Sequence, residues 1–123
     1  MKRTWLGLSV VVGLVFMLTV PVLADFQAGF DAYNGGDYDT ALKEFRPLAE
    51  RGKAVAQWSL GIMYERGRSV PQDYVQAYRW YTLAAAKGLK EAVKGRDLLE
   101  KNMTPAQIGR GQRLARDWKA KGK

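Results

Sequence analysis

Two side chains that carry much of enzyme chemistry are missing from this 123-residue chain, which has no histidine and no cysteine. Without histidine it lacks the commonest general base and the commonest metal ligand. Without cysteine it has no thiol nucleophile, no disulfide, no zinc ribbon and no lipid-bearing cysteine. The Ser-His, Cys-His and most zinc mechanisms are excluded on these grounds. Beyond residue 24 the serines are Ser59 and Ser69, with no histidine to activate either. Paired carboxylates can act alone, as in glycoside hydrolysis, and Asp37 with Asp39 or Glu65 with Asp73 are the available pairs. Asp37 and Asp73, however, occupy equivalent places 36 residues apart, each at the start of a helical pattern. A carboxylate there favours the positive end of the helix dipole, and this one role covers both residues. No glycine-rich run has phosphate-cradle spacing. No catalytic residue, metal ligand or cofactor is expected.

What remains is a matter of shape and charge. The chain is 47% apolar and 26% charged, the balance of a folded domain, and its length allows one domain or one short repeat array. The net charge of +8 is unevenly placed. Residues 25–86 hold 7 basic and 8 acidic groups, while residues 87–123 hold 11 basic and 4 acidic. The excess in the last third reads either as a footprint for an anionic lipid, envelope polymer or acidic partner, or as a solvated helix face with a frayed tail over Lys119–Lys123. Nucleic acid is not expected, because no reader motif is present.

Residues 1–24 have the layout of an export signal. Lys2 and Arg3 precede an uncharged run from Leu6 to Val20, Pro21 breaks it, and Val22-Leu23-Ala24 offers small residues for a cut before Asp25. The run is shorter than the roughly 20 residues a membrane span needs. A periplasmic or secreted chain of residues 25–123 is the expectation, touching membrane only through the signal or weak electrostatic contact.

The rest repeats itself. Asp37-Tyr38-Asp39-Thr40-Ala41 is answered by Asp73-Tyr74-Val75-Gln76-Ala77 at an offset of 36. The same offset pairs Phe45 with Tyr81, Ala49 with Ala85, Gly52 with Gly88 and Ala56 with Ala92. Upstream the offset is 32, pairing Phe26 with Trp58, Gly29 with Gly61 and Gly35 with Gly67, so the second unit carries four extra residues around Arg68–Pro71. A period in the thirties with an internal break is that of stacked helical hairpins. Over 54–66, Ala56, Leu60, Gly61 and Tyr64 share one helical face, and Gly67 follows as a left-handed terminator. Pro71 suits the first turn of the next helix, where Ala77, Trp80, Tyr81, Ala84 and Ala85 pack and Gly88 ends it. Residues 91–101 form a looser first helix with Leu98 and Leu99 as its apolar pair. Thr104-Pro105-Ala106-Gln107 opens a last helix. Its apolar side is Ile108, Gly111, Ala115 and Trp118, opposite Arg110, Arg113 and Lys121.

The run Ala54-x-Ala56-Gln57-Trp58-x-Leu60-Gly61-x-x-Tyr64-x-x-Gly67, continuing through Val70, Asp73, Ala77, Trp80-Tyr81 and Ala84-Ala85 to Gly88, resembles a full Sel1-like repeat. Residues 26–52 resemble its shorter tetratricopeptide relative through Ala32-Tyr33, Gly36-Asp37-Tyr38 and Ala41-Leu42. The end, through Thr104-Pro105, Gln107-Ile108 and Trp118, is similar to the closing segment of small secreted bacterial members. The resemblance implies an α-solenoid that binds protein or peptide segments and has no enzyme activity of its own.

The expected molecule is therefore all-α: a short right-handed α-solenoid of about five helices, in units over 25–52, 54–89 and 91–120. Leu60, Gly61, Tyr64, Gly67, Ala77, Trp80 and Gly88 hold its shape. Partner-facing positions should be first-helix residues off the packing stripe: Ser59, Met63 and Arg66 at i, i+4 and i+7, with equivalents Gln27, Asp31 and Asn34. The alternative surface is the anion-facing patch Arg110, Arg113, Lys119 and Lys121. The sequence does not decide the oligomeric state.

Overall fold

The second helix of each hairpin begins where a side chain can meet its free N–H groups. The Asp37 carboxylate accepts from the Thr40 N–H at 3.2 Å, and that of Asp73 accepts from the Gln76 N–H at 3.1 Å. Thr104 and Gln107 form the reciprocal pair the sequence predicts, at 3.1 and 2.9 Å. The computed structural model describes residues 26–121, and in them six helices follow one another. They are α1 (26–34), α2 (Tyr38–Glu50), α3 (Ala54–Arg66), α4 (Tyr74–Ala86), α5 (Lys90–Glu100) and α6 (Pro105–Arg116). The expected export signal lies outside the described residues. The expectation of about five helices is met by six, the third unit forming both its loose first helix and its closing helix.

The chain is an all-α solenoid. α2 packs on α3, α3 on α4, and α4 on both α5 and α6, while α1 reaches α2 through Phe30 and Phe45, whose rings meet edge-on at 5.2 Å. A recurring contact sets these distances. A Cβ at Gly29 would lie 2.6 Å from the Phe45 ring, one at Gly61 2.6 Å from Tyr81, and one at Gly111 2.6 Å from Tyr78. In each case a ring occupies the space that the glycine leaves empty. α4 is enclosed by three neighbours, so it buries Val75, Ala77, Tyr78, Trp80, Tyr81 and Ala84 around most of its circumference. One core joins Ala41, Phe45, Ala49, Ala56, Leu60, Met63 and Trp80; a second joins Ala77, Tyr78, Tyr81 and Leu99. Gln57 is wholly buried and ties α3 to the end of α2, its amide donating to the Ala49 carbonyl at 3.2 Å.

Two local expectations change. Gly67 is left-handed as expected, with φ of 65°, but Pro71 lies in the following loop and α4 starts only at Tyr74. The four extra residues fold back on the preceding unit: the Ser69 hydroxyl donates to Asp39 and the Arg68 guanidinium sits 4.9 Å above the Tyr38 ring. The second change is at the C-terminus. Trp118 lies beyond α6 and meets Trp80 edge-on at 6.4 Å, and the Lys121 N–H donates to the Glu50 carbonyl at 2.7 Å. The tail through Lys121 is docked on α2 and α4 instead of frayed, because an aromatic anchor and a backbone hydrogen bond hold it.

Candidate partner-binding face

The first helices of the units, α1, α3 and α5, carry side chains that the hairpin contacts do not use up. Between α1 and α3 lies a cleft of about 170 Å³ lined by Phe30, Tyr33, Asn34, Phe45, Trp58, Ser59 and Ile62. Phe45 of α2 belongs to the core, while Phe30, Trp58 and Ile62 are half-buried. The cleft has a polar rim. Arg66 donates to the Tyr33 hydroxyl at 3.0 Å, which holds the guanidinium charged and above its ordinary range. Gln27 donates to Asp31 at 2.8 Å on the exposed side of α1.

The apolar lining is periodic. The offset of 32 relates Phe30 to Ile62, and the offset of 36 that pairs Ala56 with Ala92 relates Ile62 to Leu98. Leu98 is 59% exposed, although Leu99 beside it is buried. Phe30, Ile62 and Leu98 thus mark one register position on three successive first helices. The register is half-buried at Phe30 and Ile62 and opens to solvent at Leu98.

Of the six partner-facing positions read from the sequence, the structure brings Asn34 and Ser59 into the cleft and puts Arg66 on its rim. Gln27 and Asp31 are exposed and bonded to each other. Met63 must be corrected. It is 0% exposed, in the core with Ala41 and Phe45, because α3 packs against α2 as well as α4 and has no free side at that angle. Ser59 is 6% exposed, and its hydroxyl is turned back to the Val55 carbonyl at 2.8 Å. The open register lies one residue earlier, at Trp58 and Ile62. The signal was present in the repeat: Phe26 and Trp58 are equivalent, and following that match one turn on gives Phe30, Ile62 and Leu98.

The alternative patch residues Arg110, Arg113, Lys119 and Lys121 are all exposed. Docking of the tail brings Lys119 and Lys121 a neighbourhood that the sequence does not reveal. A Cβ at Gly52 would lie 2.7 Å from the Lys87 Nζ and 3.8 Å from the Ala120 Cβ, so Arg51, Lys53, Lys87, Lys119 and Lys121 gather at one end of the array. The lysine of α4's C-terminal turn also sits 6.0 Å from the Trp118 ring centre.

Comparison with known proteins agrees with this architecture. Residues 54–89 match the Sel1 repeat family model. A solved structure of a protective antigen from uropathogenic Escherichia coli displaying an SLR fold aligns with a TM-score of 0.71 and 31% identity, over 77% of this chain and 21% of that one. An exopolysaccharide production negative regulator of Rhizobium leguminosarum bv. viciae is 35% identical over 65 residues, 53% of this chain and 24% of the relative. The DAP3-binding cell death enhancer 1 of Rattus norvegicus is 36% identical over 63 residues, 51% of this chain and 12% of the relative. The chain spans a quarter or less of these proteins' lengths, so the likeness is to a run of repeats within each.

Proposed function

Because this chain is a Sel1-like repeat protein, we propose that it works as a non-catalytic docking module, taking a protein or peptide segment on the face formed by α1, α3 and α5. Repeats of this kind mediate protein–protein interaction, and the observation that carries the reading here is the cleft between α1 and α3 with exposed Leu98 continuing its register. The bound segment would place one apolar side chain in the cleft and a second against Leu98, with the rigid hairpins fixing their spacing. The polar edge of Arg66, Tyr33 and Asn34 would set orientation. Export places this encounter in the periplasm or outside the cell, a reading that rests on residues 1–24.

A photoreactive residue at Ile62, compared with one at exposed Lys43 on α2, tests the reading in cells. A discrete protein adduct from position 62 that is absent from position 43, and is lost when Leu98 is changed to Glu, is the expected result. Equal adducts from both positions would overturn it.

The docked tail favours a second reading, adhesion to anionic lipid or cell-wall polymer through Arg110, Arg113, Lys119 and Lys121, the last two beside Arg51, Lys53 and Lys87. Binding of that kind collapses as salt shortens the screening length below about 10 Å, whereas binding in the apolar cleft persists.

A further inference from the structure

The opposite side of α3 holds a site of different chemistry. A cleft of about 530 Å³ opens between α2 and α4 over α3, lined by Arg46, Glu50, Leu60, Tyr64, Asp73, Gln76, Arg79 and Trp80. Leu60 and Tyr64 lie two residues beyond Trp58 and Ile62, about 200° around α3, so this cleft and the apolar one face away from each other. It does not depend on the docking reading.

Arg79 is its distinctive member. The residue is half-buried, its guanidinium lies 4.4 Å from the Trp80 ring centre, and its Nε is buried with no hydrogen-bond partner. Among the described residues the one ion pair is between Arg96 and Asp97, so no carboxylate lies within pairing distance of Arg79. Burial accordingly pushes the guanidinium below its usual range, with Tyr64 and Glu50 opposing from further away. A half-buried cation held over an indole, without a counter-ion, is poised for an oxyanion. Arg46 supplies a second guanidinium from α2.

The rest of the lining narrows the choice. Glu50 and Asp73 also face this cleft, which disfavours a doubly charged phosphate and tolerates a single carboxylate. Both acids, the Gln76 amide and the Tyr64 hydroxyl are suited to exchange hydrogen bonds with hydroxyl groups. Asp73 already accepts from the Gln76 N–H but keeps lone pairs free. We propose that the cleft between α2 and α4 binds a carboxylate carried on a polyhydroxylated body, a sugar acid, with Arg79 and Arg46 holding the carboxylate and Glu50, Asp73, Gln76 and Tyr64 receiving the hydroxyls.

Nitrogen-15 NMR titration of the purified chain with glucuronate tests this, with acetate, glucose and inorganic phosphate as comparison arms. Glucuronate should shift the Arg79 Nε–H, Trp80 indole N–H and Gln76 backbone signals saturably, and acetate and glucose should each bind at least about tenfold more weakly. Arg46→Gln, at an exposed position, should weaken glucuronate at least about tenfold with its melting temperature unchanged. Arg79→Gln should do the same; if that variant unfolds, Arg46→Gln and the comparison arms still decide. Absence of saturable shifts, phosphate binding as tightly as glucuronate, or an unaltered affinity in Arg46→Gln would overturn the proposal. A polymer of uronic acid and a free sugar acid share this chemistry. An oligoglucuronate arm separates them, the polymer source requiring tighter binding per chain than the monomer.

Discussion

At the scale of single residues, glycine and aromatic act as one unit. Tyr81 lies between Gly61, where an added Cβ would meet its ring at 2.6 Å, and Gly95, where the distance is 3.1 Å, and its hydroxyl is fixed by Glu65 at 2.6 Å. The ring has nowhere to retreat. Gly61→Ala should therefore destabilise by about 1–3 kcal/mol despite alanine's better helix propensity, measured by urea unfolding. Trp80, 4% exposed, should cost about 3–5 kcal/mol as Trp80→Ala. The Tyr81 hydroxyl also gives a pH signature. Burial, and then donation to Glu65, raise its pKa far above the ordinary tyrosine value, so the protonated form is favoured in the folded state. That stability is fully present below about pH 10, where an unfolded tyrosine titrates, and is lost as pH rises above it. Tyr78 shifts the same way, first through burial and then through its bond to Glu100. Tyr81→Phe should reduce the fall in unfolding midpoint above pH 10 without abolishing it; an unchanged alkaline limb would contradict the assignment.

At the scale of helices, much of the arrangement was legible and the reasons are local. Residues 54–66 read as a helix and form one, ended by the left-handed Gly67, and the Asp73 cap starts the helix after it as its repeat position predicts. The capping pair of Thr104 and Gln107 was equally clear. Three things were not legible. Met63 looked free because one stripe was assumed for α3, which is packed on two sides. Leu98 and Leu99 looked like one apolar pair, although helix geometry turns adjacent residues 100° apart, and only Leu99 is buried. The tail looked frayed because its partners, Trp80 and Glu50, are distant in sequence. Deleting residues 117–123 should lower stability by about 2 kcal/mol through loss of the Trp118 contact, read as a fall in melting temperature. No fall would mean that the tail adds nothing to the array. The loop after α3 makes a similar brace, holding α2 through Ser69 and Asp39, a tie between units that no period reveals.

At the scale of the whole molecule, the division of labour is between shape and contact. Small residues and rings hold the hairpins in register, and the two faces of α3 then present an apolar cleft on one side and a charged one on the other. Neither histidine nor cysteine is needed for either. If the apolar face carried by Ile62 and Leu98 docks a protein segment, binding must depend on both side chains. The most direct test is the affinity of the protein captured at position 62 for the chain carrying Ile62→Glu and Leu98→Glu together. Its dissociation constant should rise by about a hundredfold or more, with little dependence on salt, and Leu98→Glu alone, at an exposed position, should weaken binding with the melting temperature unchanged. Unchanged affinity in the double variant, with binding lost instead in Arg113→Glu and Lys121→Glu, would contradict the account.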